Sequence, residues 1–398
     1  MKAHIYKDKA AVLDYVRNDH KSTDKRLRIL NRFNLIVETV SAWLLFVPTY
    51  RQVPIWKFPD YHDQILIPGS NIVIRVDEPS SIIAFCLDLD LSQFDTSIEC
   101  GGGYKYIASR TGKLGTSLLL PHLLIRINGP NGLDIRCTIY YLDEFESLRS
   151  KHCGLPLQSY TNSLARCVKW SPQGGKSKAS FYKTKDDTFI LKELCKNWTI
   201  AEKAQLVKFA PHYINYKAAA QSGTLLALLA GFYALSVKAG IGYTLDVSVM
   251  NNLFSGLEII TKYDLKGVAT RQSQCESVFH DAEWAHGEYP LIPASKAQLD
   301  KCISKDTAFL AQNNIMDYSL LVGTCRDTRQ LALGIVDFIG SFTFYKLVET
   351  TSKLIRNSNP TIIRPDLYKE RFQHAIRGYF QSTPDNSLTY IDKLPSPL

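Results

Sequence analysis

The chain has 398 residues, 45% apolar and 21% charged, a composition typical of a globular protein that argues against wholesale disorder. Its net charge of +9 favours an anionic partner such as a membrane surface, a nucleic acid or a phosphorylated small molecule, although a basic enzyme without such a partner has the same balance. Nine cysteines stand singly with no C-x-x-C pair, which disfavours zinc ribbons, zinc fingers and thioredoxin-like sites and fits a reducing compartment. The N-terminal stretch is charged and lacks the apolar core of a secretory signal. The longest apolar runs, Val40–Pro48 and Thr224–Val237, fall short of the roughly 18–20 residues that span a bilayer, so any membrane is expected to be met from outside.

In chain order, Asp14–Leu45 carries mixed helical patterning, and the proline- and aromatic-rich VPTYRQVPIWKFPDYHD that follows reads as an irregular connector. Two β-type runs, ILIPGSNIVIRV and SSIIAFCL, are then separated by Asp77-Glu78-Pro79. A glycine turn at Gly101-Gly102-Gly103 precedes a hairpin, His122–Asn128 and Leu133–Tyr141, closed by Gly129-Pro130-Asn131-Gly132. Tyr141–Lys151 predicts an amphipathic helix with Leu142, Phe145 and Leu148 on one face. After Gly174-Gly175-Lys176-Ser177 come a strand (Ala179–Lys183), a polar turn (Thr184–Asp187) and a second strand (Thr188–Leu194). A helix over Ile200–Ala210 and a β-rich stretch over Thr224–Asn252 follow, with no internal repeat anywhere.

Gly175-Lys176-Ser177 resembles the end of a Walker loop, but Trp170 stands where the first glycine belongs and a strand, not a helix, comes next. The other glycine-loop arrangement is a glycine turn, a strand, a turn and a strand carrying a lysine, as in kinases. Lys192 sits in that second strand on the face of Ile190 and Leu194, where it either meets an anion such as ATP phosphates or snorkels to water. Asp317 lies within an apolar run, and Asp337 ends the β-type run Leu331–Val336. One acid could accept the proton of an attacking hydroxyl while the other holds Mg2+ on phosphates; the alternative is that each caps a turn or pairs with an arginine. Lys266, beside Gly267, could touch a phosphate or belong to an ordinary surface turn.

Taken together, Tyr263-Asp264-Leu265-Lys266-Gly267, Met316-Asp317-Tyr318-Ser319-Leu320-Leu321-Val322-Gly323 and Gly334-Ile335-Val336-Asp337 resemble the phosphatidylinositol phosphate kinases, as does Pro360–Tyr368 followed by Arg371-Phe372. Asp77–Phe85, Phe181-Tyr182, Phe189–Lys192 and Phe209–Tyr213 are most similar to the 3-phosphate 5-kinase class. The resemblance runs from about Gln64 to Phe380. It implies an α+β, two-lobed kinase-like fold with an antiparallel N-lobe sheet and a mixed C-lobe. Lys192 would be the ATP-phosphate lysine, Asp317 the catalytic acid/base, Asp337 the Mg2+ ligand, and Lys266 a contact to the transferred or substrate phosphate. Gly174, Gly175, Lys176, Ser177, Asn252 and Leu253 would complete the ATP site. Lys346, Lys353 and Arg356, among Phe342, Phe344 and Tyr345, would form a substrate and membrane loop, each basic residue worth about 1 kcal/mol near an anionic leaflet.

The implied organisation is an N-terminal segment of unassigned role (1–63), a β-rich pre-kinase segment packed on the N-lobe (64–120), an N-lobe (121–252), a C-lobe (253–385) and a tail (386–398). The implied reaction moves the ATP γ-phosphoryl to a phosphatidylinositol monophosphate, foremost the 3-phosphate giving the 3,5-bisphosphate. The implied setting is cytoplasmic, peripheral on endosomal or vacuolar membranes, with a recruiting adaptor protein and no nucleic acid. The sequence departs from the family pattern at Lys178, Asn251, Val268 and Leu347, and its Arg271 comes one position early. These departures support the alternative, a catalytically impaired phosphoinositide-binding scaffold of the same fold.

Overall fold

The alternating strands between residues 97 and 251 hydrogen-bond into a single antiparallel sheet in this computed structural model. The structure describes residues 64–91, 93–111, 122–171, 179–194, 202–220, 223–238, 242–273, 277–284, 289–326, 330–339 and 364–383, all within the unit Asp63–Leu398. The expectations for 1–63, for Gly174, Gly175, Lys176 and Ser177, for Lys346, Lys353 and Arg356, and for the tail lie outside the described residues.

A two-stranded ribbon, β1 (Gln64–Ile65) and β2 (Ile74–Arg75), leads into α1 (Pro79–Asp88). This segment was expected as a β-type run, and the structure corrects it. Pro79 at the first turn suits a helix start, where its missing N–H costs nothing, and residues 79–87 are all buried. A short run without a polar face carries no period, so its apolar character alone cannot tell strand from helix.

Among the described residues the large sheet runs β3 (Ser97–Gly101), β4 (Tyr104–Thr111), β5 (His122–Asn128), β6 (Asp134–Tyr140), β10 (Leu229–Lys238), β11 (Tyr243–Asn251), β9 (Phe189–Glu193), β8 (Phe181–Thr184) and β7 (Cys167–Trp170). The predicted hairpins at 122–141 and 179–194 are both present in it. Residues 97–111, expected as a pre-kinase segment, pair edge to edge with β5 in the same sheet. The amphipathic helix is present as α2 (Leu142–Ser147), continued by a wider turn through His152, with Phe145 and Leu148 buried.

Paired residues of antiparallel strands share a face. Phe181, Lys192, Ser248, Phe232 and Tyr140 are successive partners across five strands, so they form one row on one face. The other face carries Phe189 and Tyr233, which meet Tyr160 of α3 (Leu157–Leu164). Lys192 therefore faces away from α3. It faces toward α4 (Glu202–Ala219), whose Lys203 bonds Asp246 of β11 at 2.7 Å. The helix expected at Ile200–Ala210 runs nine residues further, through Pro211 to Ala219.

A second antiparallel sheet contains β12 (Ile259–Leu265), β13 (Ser319–Cys325) and β14 (Leu331–Val336) in that order. Around it stand the one-turn α5 (Asp281–Trp284), α6 (Pro293–Gln312) and α7 (Pro365–Tyr379). The chain is thus α+β, with a large antiparallel sheet and a smaller helix-rich half. Among the described residues no helix is long and apolar enough to cross a membrane.

The halves are joined beneath α4. Phe209, Tyr213 and Tyr216, three and four residues apart on one face of that helix, pack on Phe338 and Phe309, with Tyr213 stacked on Phe338 at 5.5 Å and Tyr216 on Phe309 at 4.0 Å. Asp306 of α6 is wholly buried and accepts from Leu225 N (2.6 Å), Tyr216 Oη (2.7 Å) and Thr224 Oγ1 (2.8 Å). Residues 225–227 then run parallel to β14 through Ile335. Replacing Asp306 by alanine would strand three donors in a cavity, so Asp306→Ala is expected to lose about 2–4 kcal/mol of stability in urea titrations. A loss under about 0.5 kcal/mol would mean that this junction is not held by Asp306.

Candidate active site

Register decides where the acids lie. Ser319 pairs with Val336 and Leu320 with both Leu265 and Ile335, so β12 ends, β13 begins and β14 ends at one edge of the small sheet. Lys266, Asp317 and Asp337 are the residues that leave or enter the sheet at that edge. Asp317 and Asp337 both adopt left-handed backbone, at φ 65° and 61°, and such strain concentrates at functional sites.

Each acid has its own lysine. Lys192 reaches from the large sheet to Asp337 Oδ1 at 2.9 Å, with its own side chain 11% exposed and the carboxylate 53% exposed. Lys266 donates to Asp317 Oδ1 at 2.6 Å and to Asp317 O at 2.9 Å. The sequence left open whether Lys192 snorkels and whether Lys266 lies in a surface turn. Both are instead largely buried cations aimed at carboxylates.

Behind them lies a layer of ion pairs. Arg271 donates to Asp264 Oδ2 at 2.8 Å and to Asp264 O at 2.5 Å. Burial works against the Asp264 charge, but Arg271 more than offsets it, with help from Lys266, and holds the carboxyl below its ordinary 3.8. Burial likewise opposes the Arg271 charge, and Asp264 and Asp281 raise its pKa in spite of that.

Asn252 and Leu253, expected at the nucleotide, lie between β11 and β12, where the chain passes from one sheet to the other. Asn252 Nδ2 donates to Asp187 O at 2.8 Å, tying this connector to the β8–β9 turn. Leu253 packs so tightly on Gly334 that any Cβ there would collide with its Cδ1. The residue before Asn252 donates its N–H to Leu228 O and accepts Leu228 N–H on its own side chain.

Three contributors were missed by the sequence reading. Asp281 and Asp306 are buried acids whose partners lie 10 to 98 and 81 to 90 residues away, and no local spacing signals such a pair. Phe338, directly after Asp337, carries no mark of its own in the sequence. The apolar pair Phe209 and Tyr213 on a helix was the available hint that it has a stacking partner.

Residues 164–332 match the family described as Phosphatidylinositol-4-phosphate 5-Kinase. This span contains Lys192, Lys266 and Asp317. Residues 164–332 belong to the phosphatidylinositol phosphate kinase family. The chain is 38% identical to 1-phosphatidylinositol-3-phosphate 5-kinase FAB1A of Arabidopsis thaliana, over 86% of this chain and 22% of that protein. It is 35% identical to 1-phosphatidylinositol 3-phosphate 5-kinase FAB1 of Saccharomyces cerevisiae, over 69% of this chain and 13% of that protein. With the Homo sapiens 1-phosphatidylinositol 3-phosphate 5-kinase the identity is 34%, over 68% of this chain and 14% of that protein. The chain spans about a fifth or less of the length of these relatives.

The Asp264–Arg271 pair gives this phosphatidylinositol phosphate kinase domain an acid-sensitive element. A carboxyl held low in the folded state contributes stability above its unfolded value and loses it as pH falls through the folded value, so the loss lies below 3.8. Urea midpoints measured from about pH 6 to about pH 3 are expected to fall less steeply in Asp264→Asn than in the parent below that point. At neutral pH the variant should be less stable by about 2 kcal/mol. Parallel pH curves would show that Asp264 is not the group involved.

Proposed function

We propose that the chain is the kinase portion of a phosphatidylinositol 3-phosphate 5-kinase, moving the ATP γ-phosphoryl onto the inositol 5-hydroxyl. The observation that carries this reading is the convergence of Lys266, Asp317 and Asp337 on one sheet edge, with Lys192 arriving from the other sheet. Phosphoryl transfer needs little covalent work from a protein, and mostly position and charge. Asp317, a third exposed, orients the 5-hydroxyl and accepts its proton. Lys266 keeps that carboxylate aimed and presents positive charge beside the substrate phosphate. Lys192 holds the ATP phosphates, and Asn252 with Leu253 supports the nucleotide between the sheets.

A half-exposed carboxylate beside a lysine also suits Mg2+, a hard cation that takes one or two carboxylates together with phosphate oxygens. Asp337 would hold it, and the ion would neutralise charge on the phosphates. The substrate assignment draws on the names of the relatives, each a 3-phosphate 5-kinase. The net charge of +9 supports peripheral docking on an anionic bilayer, helped by Lys346, Lys353 and Arg356. An endosomal or vacuolar cytosolic face, reached through a recruiting adaptor protein, completes the reading.

The test incubates the purified chain with Mg-ATP and vesicles carrying one phosphatidylinositol monophosphate at a time, and resolves the bisphosphate isomers. The expected result is the 3,5-bisphosphate from the 3-phosphate lipid, with Asp317→Asn lowering the rate by about 100-fold or more. Product from a different monophosphate would reassign the substrate. Vesicle binding with no product from any lipid would favour the scaffold alternative.

A further inference from the structure

The turn after β12, Lys266-Gly267-Val268, sends three consecutive N–H groups to one point. All three donate to Asp281 Oδ1, Gly267 at 2.7 Å, Lys266 at 3.1 Å and Val268 at 3.2 Å. Converging amides of this kind form a concave anion site that in other proteins holds a phosphate. Here the chain's own carboxylate fills it. Asp281 is wholly buried, and it also receives Tyr379 Oη at 3.1 Å and the Arg271 guanidinium at 3.5 Å.

The turn is closed on its far side by α7. Gly267 has φ 71°, and an added Cβ would stand 3.1 Å from Phe372 Cα, so a side chain here is both strained and crowded. The same helix reaches the residue after Asp317, where Tyr368 Oη donates to Tyr318 O. Asp281 and α7 therefore grip Lys266 through its backbone and Asp317 through its neighbour, leaving the lysine side chain to join the two.

We propose that Asp281 is the positioning residue of the Lys266–Asp317 pair: its buried carboxylate fixes the turn so that Lys266 Nζ meets Asp317. The catalytic side of this inference rests on the proposed role of Asp317 as proton acceptor. It also limits what the turn can do. Its amides are committed to Asp281, so a substrate phosphate can be met here by the Lys266 side chain and not by the backbone. Asparagine at 281 would set an NH2 group among amide donors and remove the charge, which releases the turn without changing the volume of the side chain.

Two measurements test this. The first needs no activity: lysines are acylated with a water-soluble amine-reactive ester and quantified by peptide mass spectrometry. Asp281→Asn should raise the Lys266 labelling rate by about tenfold and leave Lys192 unchanged. The second uses the vesicle assay. Asp281→Asn should lower kcat on the order of 100-fold with the KM for ATP unchanged, and Asp281→Asn with Lys266→Ala should be no worse than Lys266→Ala alone.

A folded Asp281→Asn with unaltered Lys266 labelling, or losses that add in the double variant, would overturn the proposal. Should Asp281→Asn fail to fold, Tyr379→Phe removes one donor with little change in packing. It must then raise Lys266 labelling in the same direction by a smaller factor, and no rise would equally overturn the proposal. A parent chain without lipid product would refute the kinase reading, while the labelling would still decide whether Asp281 positions Lys266.

Discussion

Asp317 and Asp337 are brought to one sheet edge by one backbone register, Ser319 opposite Val336, which sets the start of β13 beside the end of β14. Neighbouring strands lie only about 5 Å apart, so residues just beyond those ends are held close whatever their side chains do. The left-handed backbone at Asp317 and Asp337 then turns both out of the sheet. Residues in such conformations cost about 1–3 kcal/mol each and persist only where their surroundings fix them. The ion pairs to Lys266 and Lys192 are part of that surrounding structure, and each sets a cation against one of the two carboxylates. Under the proposed function, a polyphosphate would meet Lys192 already extended toward Asp337, so little reorganisation would be needed to share that ammonium.

Rigidity behind the edge comes from acids used as backbone clamps. Asp281 collects three amides of one turn, and Asp306 collects an amide and two hydroxyls at the junction of the halves. A buried carboxylate is costly to desolvate, and apolar packing of the same volume often stabilises a fold as well. What apolar packing cannot supply is a fixed direction for several N–H groups at once. The aromatic stack of Tyr213 and Phe209 on Phe338 does the complementary work, since Phe338 follows Asp337 directly and is wholly buried. The position of α4 and the orientation of Asp337 are thereby linked through one side chain.

Much of this was legible because hairpins and strand-end acids have local signatures. The glycine-marked turns gave the 122–141 pair, the polar turn gave the 179–194 pair, and the acids at the ends of apolar runs gave Asp317 and Asp337. The run at 79–88 was misread because burial on all sides erases the period that separates helix from strand, although Pro79 was a usable start signal. The partners of Lys192 and Asp306 were not legible. Lys192 and Asp337 are 145 residues apart, and only the folded arrangement of two separate sheets brings them together. For Lys192 the sequence suggested the need for an anion but not which one, and for Asp306 it gave no signal at all.

The departures from the family pattern can now be weighed by what each position has to do. At 268 the turn needs an N–H for Asp281 and a side chain that tolerates burial, and valine supplies both. Arg271, one position early, still reaches Asp264 and Asp281 together, because the guanidinium fork spans both carboxylates. Asn251 takes the Leu228 N–H on its Oδ1 at 2.7 Å, a contact that needs an oxygen and no charge. In all three cases the residue present makes a contact that holds the backbone. Lys192, Lys266, Asp317 and Asp337, on which the proposed reaction relies for charge, are all present. Under the proposed function, residues that hold the backbone frame and leave the charged centre in place weigh toward turnover and against the scaffold alternative. A chain kept only for its surface would be free to lose the centre first.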